Sequence, residues 1–71
     1  MLSLSNLKIG DSIKNNNPFR GEGEYIVADL SPKLFEGAIK VIAAKCRKYP
    51  GLNGQCSYLD IDSLQFYHKV D

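Results

Sequence analysis

The sequence has no tryptophan, only two cysteines, one histidine and no long apolar run. Its longest apolar segment, residues 41–44, is far shorter than the roughly 20 residues that a helix needs to cross a bilayer. This excludes a membrane-spanning helix. The first five residues have neither a basic start nor a sustained apolar stretch, so we expect no cleaved signal peptide and a cytoplasmic location.

The two cysteines, Cys46 and Cys56, are too few for the disulfide frameworks that stabilise small secreted domains. We therefore expect both to remain thiols in a reducing compartment. In structural zinc sites, paired cysteines lie only a few residues apart and further ligands complete the set. The wide spacing of Cys46 and Cys56 does not fit this pattern, and we expect no metal ion and no cofactor.

The chain of 71 residues has nine Lys and Arg against eight Asp and Glu, a formal net charge of +1. A chain of this length has room for one core, so we expect a single domain over residues 1–71. Its balanced charge is unlike the strongly basic composition of a dedicated nucleic-acid-binding domain.

No combination of side chains in the sequence predicts catalysis. A general base needs a nucleophile or a substrate proton within hydrogen-bond reach, and often an orienting carboxylate. His68 lies in an alternating pattern that predicts a structural side chain at an inward or rim position. Asp60 and Asp62 precede a turn, where carboxylates typically cap backbone groups. We therefore expect no enzyme.

Alternating apolar and polar residues predict two strands in the first part of the chain. The first strand covers residues 7–14. One side of it carries Leu7, Ile9 and Ile13. A loop rich in Asn, Pro and Gly follows at residues 14–23. The second strand covers residues 24–30, and its alternation predicts a face formed by Ile26, Ala28 and Leu30.

Residues 31–47 are compatible with either a helix or a strand. In the helix alternative, Ser31 is the N-cap and Pro32 takes the first helical position. The fold is then α+β, in the order β-β-α-β-β, with a helix at about residues 32–48. Against this alternative, Gly37 weakens a helix interior, and the β-branched residues that follow it favour a strand.

A hairpin pattern favours the strand interpretation. If residues 49–54 turn the chain, Cys46 opposes Cys56. The same register pairs Val41 with Ile61, Ala43 with Leu59 and Ala44 with Tyr58. One face then carries Ile39, Val41, Ala43, Leu59 and Ile61. Because the apolar patterns of both strands set a register, their agreement predicts a β-hairpin here.

The end of the chain predicts a tight turn followed by a last strand. Asp62 and Ser63 favour the turn. The alternation that predicts the strand places on one face Leu64, Phe66, His68 and Val70. The sequence therefore predicts a mainly β domain of five short strands.

Strand one contains Gly10-Asp11, and a one-turn link at residues 62–64 precedes the last strand. With these features, the order of the segments resembles a Src-homology-3-like small β-barrel. The resemblance implies five short strands closed around one core. Recognition of proline-rich peptides needs an aromatic groove. It is not implied here, because the sequence has no Trp and the first loop has only Phe19 as an aromatic residue.

The strongest local charge asymmetry lies between Gly37 and Ser57, where no acidic residue occurs. The tip of the predicted hairpin carries the candidate nucleic-acid-binding residues Lys45, Arg47, Lys48 and Tyr49. Cations at such a tip hold phosphates, and an aromatic ring stacks on a base. The alternative is that these charges keep a hairpin end soluble and deter edge pairing.

Aromatic residues supply a second candidate surface. We expect Phe19, Tyr25, Tyr58 and Tyr67 to pack in the core or at its rim, and an outer protein-binding face shared by them is the alternative. The sequence therefore predicts a small non-catalytic binding module, a protein–protein interaction adaptor or inhibitor, with Tyr58 and Tyr67 contacting the partner. The alternative function is a nucleic-acid-binding accessory domain that uses the basic loop at residues 45–49.

Overall fold

The computed structural model describes residues 2–17 and 23–70, which fold into a mainly β structure. The strands are β1 (Ser12–Asn15), β2 (Glu24–Asp29), β3 (Ala38–Ala44), β4 (Cys56–Asp60) and β5 (Tyr67–Val70). They form one antiparallel sheet in the order β4-β3-β2-β1-β5. The mainly β prediction is confirmed. The closed barrel that the resemblance implied is not seen, because β4 and β5 end the sheet without pairing.

Helical structure in the described residues is limited to short 3-10 turns. These are η1 (Leu4–Asn6), η2 (Pro50–Leu52) and η3 (Ile61–Phe66). In the same residues, no helix is long and apolar enough to cross a membrane. Residues 18–22, which belong to the predicted loop and include Phe19, lie outside the described part of the chain.

The ambiguous segment forms strand β3, so the alternative helix at residues 32–48 is wrong. The side chains of Ile39, Val41 and Ala43 are buried, whereas their neighbours Ile42 and Ala44 are only partly buried. This two-residue period matches a strand with one face on the core. β-Branched side chains pack well in such a strand and poorly in a helix.

The predicted hairpin exists, but its register is wrong. Cys56 pairs with Ile42 and not with Cys46, and Leu59 pairs with Ile39. The loop between the strands is wider than predicted because the Cys46 N–H donates to Asn53 Oδ1 at 2.8 Å instead of joining the ladder. Since the shift is an even number of residues, each side chain keeps its predicted face.

The predicted phase of strand β2 is wrong as well. Val27 is 1% exposed and faces the core, whereas Ile26 is 36% exposed on the opposite face. Consecutive apolar residues made both phases possible, and pairing with the buried Ile13 of β1 decides between them. A register irregularity between Val27 and Asp29 then places Leu30 on the core side, so that Leu30 does not share a face with Ile26 as predicted.

Strand β1 begins later than predicted because the chain turns at Gly10, which has a φ of +96°. Ile9 therefore lies exposed in the turn and not in the core. The Lys8 N–H donates to Asp11 Oδ2 at 2.8 Å, and Lys69 Nζ lies 3.3 Å from the same oxygen. The hydrogen bond from Lys8, followed by the Lys69 ammonium, lowers the pKa of the Asp11 carboxyl.

The last strand starts at Tyr67, because η3 occupies the residues that were predicted to begin it. Leu64 of η3 is buried in the core as predicted, but Phe66 is exposed and Tyr67 is buried. His68 is exposed, with Nδ1 2.6 Å from Asn16 Oδ1. The predicted alternation in this strand is therefore wrong, and of the two positions predicted for His68, inward or at the rim, the inward one is not found.

The core is a cluster of buried side chains from β1, β2, β3 and β5, from η3 and from the segment before β1. Its members are Leu7, Ile13, Val27, Ile39, Val41, Leu64 and Tyr67. Leu59 of β4 and Ile61 of η3 pack against this cluster while remaining partly exposed. The sheet therefore has a well-buried centre and a more exposed end strand, β4.

Candidate functional site

A groove lies between the two end strands of the sheet. Its volume is about 530 Å³, and it is lined by Asn15, Asn17, Tyr58, Leu59, Asp60, Ser63, Phe66 and Tyr67. One wall comes from β4, and the facing wall comes from the ends of β1, η3 and β5. The failure of β4 and β5 to pair therefore creates a concave surface, the β4–β5 groove.

The groove brings together two of the residues that the sequence singled out, Tyr58 and Tyr67. They differ in accessibility, because Tyr58 is half-buried whereas Tyr67 is 7% exposed. The Tyr67 ring lies 6.2 Å from the ring of Tyr25, on the core side of the sheet. Tyr67 therefore lines the groove with little exposed surface, as core or rim packing predicts, and the alternative of one outer face shared by Tyr25, Tyr58 and Tyr67 is not found.

Two phenylalanines contribute aromatic surface that the sequence interpretation missed. Phe66 lines the groove with 57% of its surface exposed. Phe35 packs against Tyr58 with ring centroids 4.4 Å apart and an angle of 42° between the rings. Aromatic rings at this distance attract each other, which adds to the stabilisation that comes from burying their surface. The pair fixes the Tyr58 ring at the groove wall.

The turn η3 holds Phe66 in its exposed position. Ser63 Oγ donates to the Asp60 carbonyl at 2.7 Å, and Gln65 Nε2 donates to the Asp62 carbonyl at 3.0 Å. The buried side chain of Leu64 anchors the same turn in the core. Because these contacts restrain the backbone of η3, little backbone conformational entropy remains to be lost when a ligand contacts Phe66.

The β4–β5 groove has an acidic character. Asp60 lies in its wall, and no Lys, Arg or His is among the described residues that line it. Asp62 follows in η3 and is exposed. The remaining polar groups of the lining are amides and hydroxyls, which both donate and accept hydrogen bonds.

The basic loop at residues 45–49 lies outside the groove lining. Lys45 Nζ is 3.5 Å from Glu24 Oε2, and the Lys45 backbone has a φ of +54°. Lys48 Nζ lies 5.6 Å from the centroid of the Tyr49 ring. Arg47 and Tyr49 are exposed. Two of the three cations and the ring thus already have partners within the chain, which weakens the predicted stacking and phosphate contacts.

The two cysteines have different environments, and neither forms a disulfide bond. Cys46 is 2% exposed, whereas Cys56 is exposed on β4. They do not face each other, because the register places Cys56 opposite Ile42. Among the described residues, no group of three or more His, Cys, Asp or Glu side chains is arranged to hold a metal ion.

We expect one thiol of the folded protein to react rapidly with an aromatic disulfide reagent, and both thiols after denaturation. Exposure lets the Cys56 sulfur attack the disulfide bond of the reagent, which forms a mixed disulfide and releases the reagent's aromatic thiol, whereas Cys46 reacts only when the chain opens. The measurement is the absorbance of the released thiol with and without guanidinium. Cys56→Ser is the control and should remove the rapid phase; rapid reaction of both thiols in the folded wild type would contradict the burial of Cys46.

No protein-family model, curated protein or solved structure matches this chain. The β4–β5 groove and the basic loop are therefore interpreted from their own geometry and chemistry.

Proposed function

We propose that this chain is a small non-catalytic module that binds a partner protein through the β4–β5 groove and acts as an adaptor or inhibitor. The observation that carries this proposal is the exposed ring of Phe66 in a groove whose wall also presents Tyr58. Aromatic side chains in concave surfaces are frequent centres of binding energy in protein–protein interfaces.

The surroundings of the two rings support this proposal. Phe35 restrains Tyr58, and the hydrogen bonds of η3 restrain Phe66, so the surface is largely formed before a partner arrives. Asn15 and Ser63 add polar groups to the groove lining. Aromatic and apolar side chains with a few polar groups are the usual composition of such a site.

Assignment to the Src-homology-3-like barrels forms part of the same proposal. It is supported by the five-stranded antiparallel sheet and by the 3-10 turn η3 directly before β5. Proline-rich peptides are not proposed as ligands, because the chain has no Trp. A cytoplasmic location, supported by the low cysteine content, belongs to the proposal too.

Nucleic-acid binding through the basic loop is the second candidate function. It is favoured by the exposure of Arg47, Lys48 and Tyr49 on one loop. Binding of this kind weakens steeply as salt concentration rises, because phosphate contacts release counterions. The two candidates therefore differ in salt dependence and in the variants that abolish them.

The test is affinity capture from extracts of the source cells with the wild type and with Phe66→Ala. We expect Phe66→Ala to lower capture of the partner protein by about thirtyfold, the effect of losing a central aromatic contact. Ile9→Ala is the matched control, because Ile9 is similarly exposed but does not line the groove. Circular dichroism checks that both variants remain folded.

The same capture distinguishes the second candidate. Nuclease treatment should leave the partner bound, as should combined replacement of Arg47 and Lys48 by Ala. The protein-binding proposal is wrong if nuclease removes the captured material, or if Phe66→Ala captures as much partner as Ile9→Ala.

A further inference from the structure

The outer edge of β4 offers backbone groups for pairing. The Ile61 N–H donates to the Gly37 carbonyl at 2.9 Å, and the Ala43 N–H donates to the Gln55 carbonyl at 3.0 Å. In an antiparallel pair of strands, the N–H and C=O groups of one residue bond to the neighbouring strand, and those of the next residue point away from that strand. The N–H and C=O groups of Cys56 and Tyr58 therefore point away from β3, and β4 has no further strand on that side in the described sheet.

This edge lacks the usual protections against strand addition. Natural end strands are often blocked by lysine, proline or a bulge. The sequence of β4, Cys-Ser-Tyr-Leu-Asp, has neither lysine nor proline, and its five pairs with β3 follow without a register shift. The other end strand, β5, carries His68 and Lys69. Of the two ends of the sheet, β4 is thus the one open to pairing.

We infer that β4 binds an extended, basic segment of the partner protein as an added sixth strand, with alternate side chains of that segment entering the β4–β5 groove. This inference rests on the proposed function and specifies how the partner is recognised. Strand addition obtains affinity from main-chain hydrogen bonds and specificity from pockets for alternate side chains. The outward groups of Cys56 and Tyr58 supply the hydrogen bonds.

The wall opposite β4 limits the width of a ligand that pairs with this edge, and it includes Phe66, Tyr67 and Asn15. A single extended chain adds less than 5 Å beside β4 in the hydrogen-bonding direction, which is the smallest addition that can pair with the edge. The edge of a second copy of this protein would bring its own neighbouring strand into the same wall. The geometry therefore favours a peptide segment over a dimer formed through β4.

The side chains around the edge determine the chemistry of the segment. An added strand places alternate side chains on the two faces of the sheet. On the face of Leu59, which packs against the core, they meet apolar surface that favours an apolar residue. On the other face they lie beside Tyr58 and Asp60, near the exposed Asp62, and charge complementarity with the two carboxylates favours lysine or arginine. Alternating apolar and basic residues match both faces.

The test uses a short blocked peptide in which lysine and valine alternate, added to the isotope-labelled full chain. Amide hydrogen exchange is followed by NMR at Cys56 and Tyr58, with Ser57 and Leu59 as internal controls. We expect exchange at Cys56 and Tyr58 to slow by about tenfold or more, because their amides become hydrogen-bonded. The amides of Ser57 and Leu59 already bond to β3 and should change much less.

Two matched comparisons sharpen the result. The same peptide with glutamate in place of lysine should protect neither amide, because Asp60 repels it. Cys56→Pro removes one outward N–H without removing a bond to β3, and it should weaken binding of the lysine peptide at least fivefold. Cys56→Ala keeps the N–H and should bind like the wild type.

Other outcomes overturn the inference in distinguishable ways. Peptide-induced shifts confined to the rings of Tyr58 and Phe66, without amide protection, would exclude strand pairing but leave the proposed protein-binding groove intact. Protection that rises with protein concentration in the absence of peptide would show a second copy on β4. Equal binding of the lysine and glutamate peptides would overturn the inference that the bound segment is basic. Loss of partner capture in Phe66→Ala, measured separately, decides the proposed function itself.

Discussion

Ile39→Ala is expected to lower the free energy of unfolding by about 3 kcal/mol, the cost of removing a large aliphatic side chain from a packed core. Ile39 is 0% exposed and lies in β3, which pairs with both β2 and β4. A domain of this size has a total stability of order 5 kcal/mol. The variant should therefore populate unfolded chains measurably at room temperature, as monitored by urea titration with circular dichroism.

Two further substitutions calibrate this result. Leu34→Ala should change stability by less than about 0.5 kcal/mol, because Leu34 is 80% exposed. Ile39→Val should cost about 1 kcal/mol, since it removes a single methylene. If Ile39→Ala were as mild as Leu34→Ala, β3 would not be the centre of the core.

Gly23→Ala is expected to cost about 2 kcal/mol or more, the second large effect. Gly23 has a φ of +73°, a conformation that costs an alanine roughly 1–2 kcal/mol. An added Cβ would also lie 2.6 Å from the Ala44 carbonyl oxygen and 2.7 Å from that of Lys45. These are backbone atoms, so the end of β3 would have to move. The measurement is the urea concentration at the midpoint of unfolding. A lower midpoint shows lost stability when the slope of unfolding free energy against urea concentration is the same in both proteins.

Gly10→Ala separates the two contributions to that cost. Gly10 also has a positive φ, +96°, but an added Cβ there meets no atom within 4 Å. We expect it to cost only the conformational part, about 1 kcal/mol. Equal losses in the two variants would show that the approach of Gly23 to β3 is unimportant.

The sequence predicted a strand face correctly where the pattern of the partner strand favoured one phase. In β3, the alternation of Ile39, Val41 and Ala43 was supported by the matching pattern of β4, and the structure has the same face. In β2, Tyr25, Ile26 and Val27 are all apolar, so either phase would bury apolar surface. Tertiary pairing with β1 decided that phase, and local pattern does not contain this information.

The register of the hairpin could not be predicted for a related reason. An even shift leaves every side chain on the same face, so the apolar pattern permits several registers. The observed register of the hairpin is determined by the hydrogen bond from the Cys46 N–H to Asn53 Oδ1, because this bond closes a wide loop between β3 and β4. This bond depends on the backbone conformation of the loop, including the positive φ of Lys45, and no periodicity signals it.

The β4–β5 groove itself was not predicted, although two of its lining residues, Tyr58 and Tyr67, were singled out. Tyr58 was identified because tyrosine is frequent in interfaces, and it lines the groove. Phe66 was missed because it was counted into the last strand, whereas η3 extends to Phe66 and reverses its orientation. Asp62 and Ser63 did signal this turn. Its length depends on the burial of Leu64, which is a tertiary contact.

The position of β1 between β2 and β5 has a consequence for how the chain folds. β2, β3 and β4 pair with neighbours in sequence, whereas the β1–β5 pairing brings Ser12 beside Val70. Long loops must close before such contacts contribute any stability, and chains rich in them fold on the millisecond-to-second scale. We infer that the β2–β3–β4 meander forms early and that the joining of β1 with β5 is rate-limiting. Mutations in β5 would then slow refolding, whereas mutations at the outer edge of β4 would leave the refolding rate unchanged.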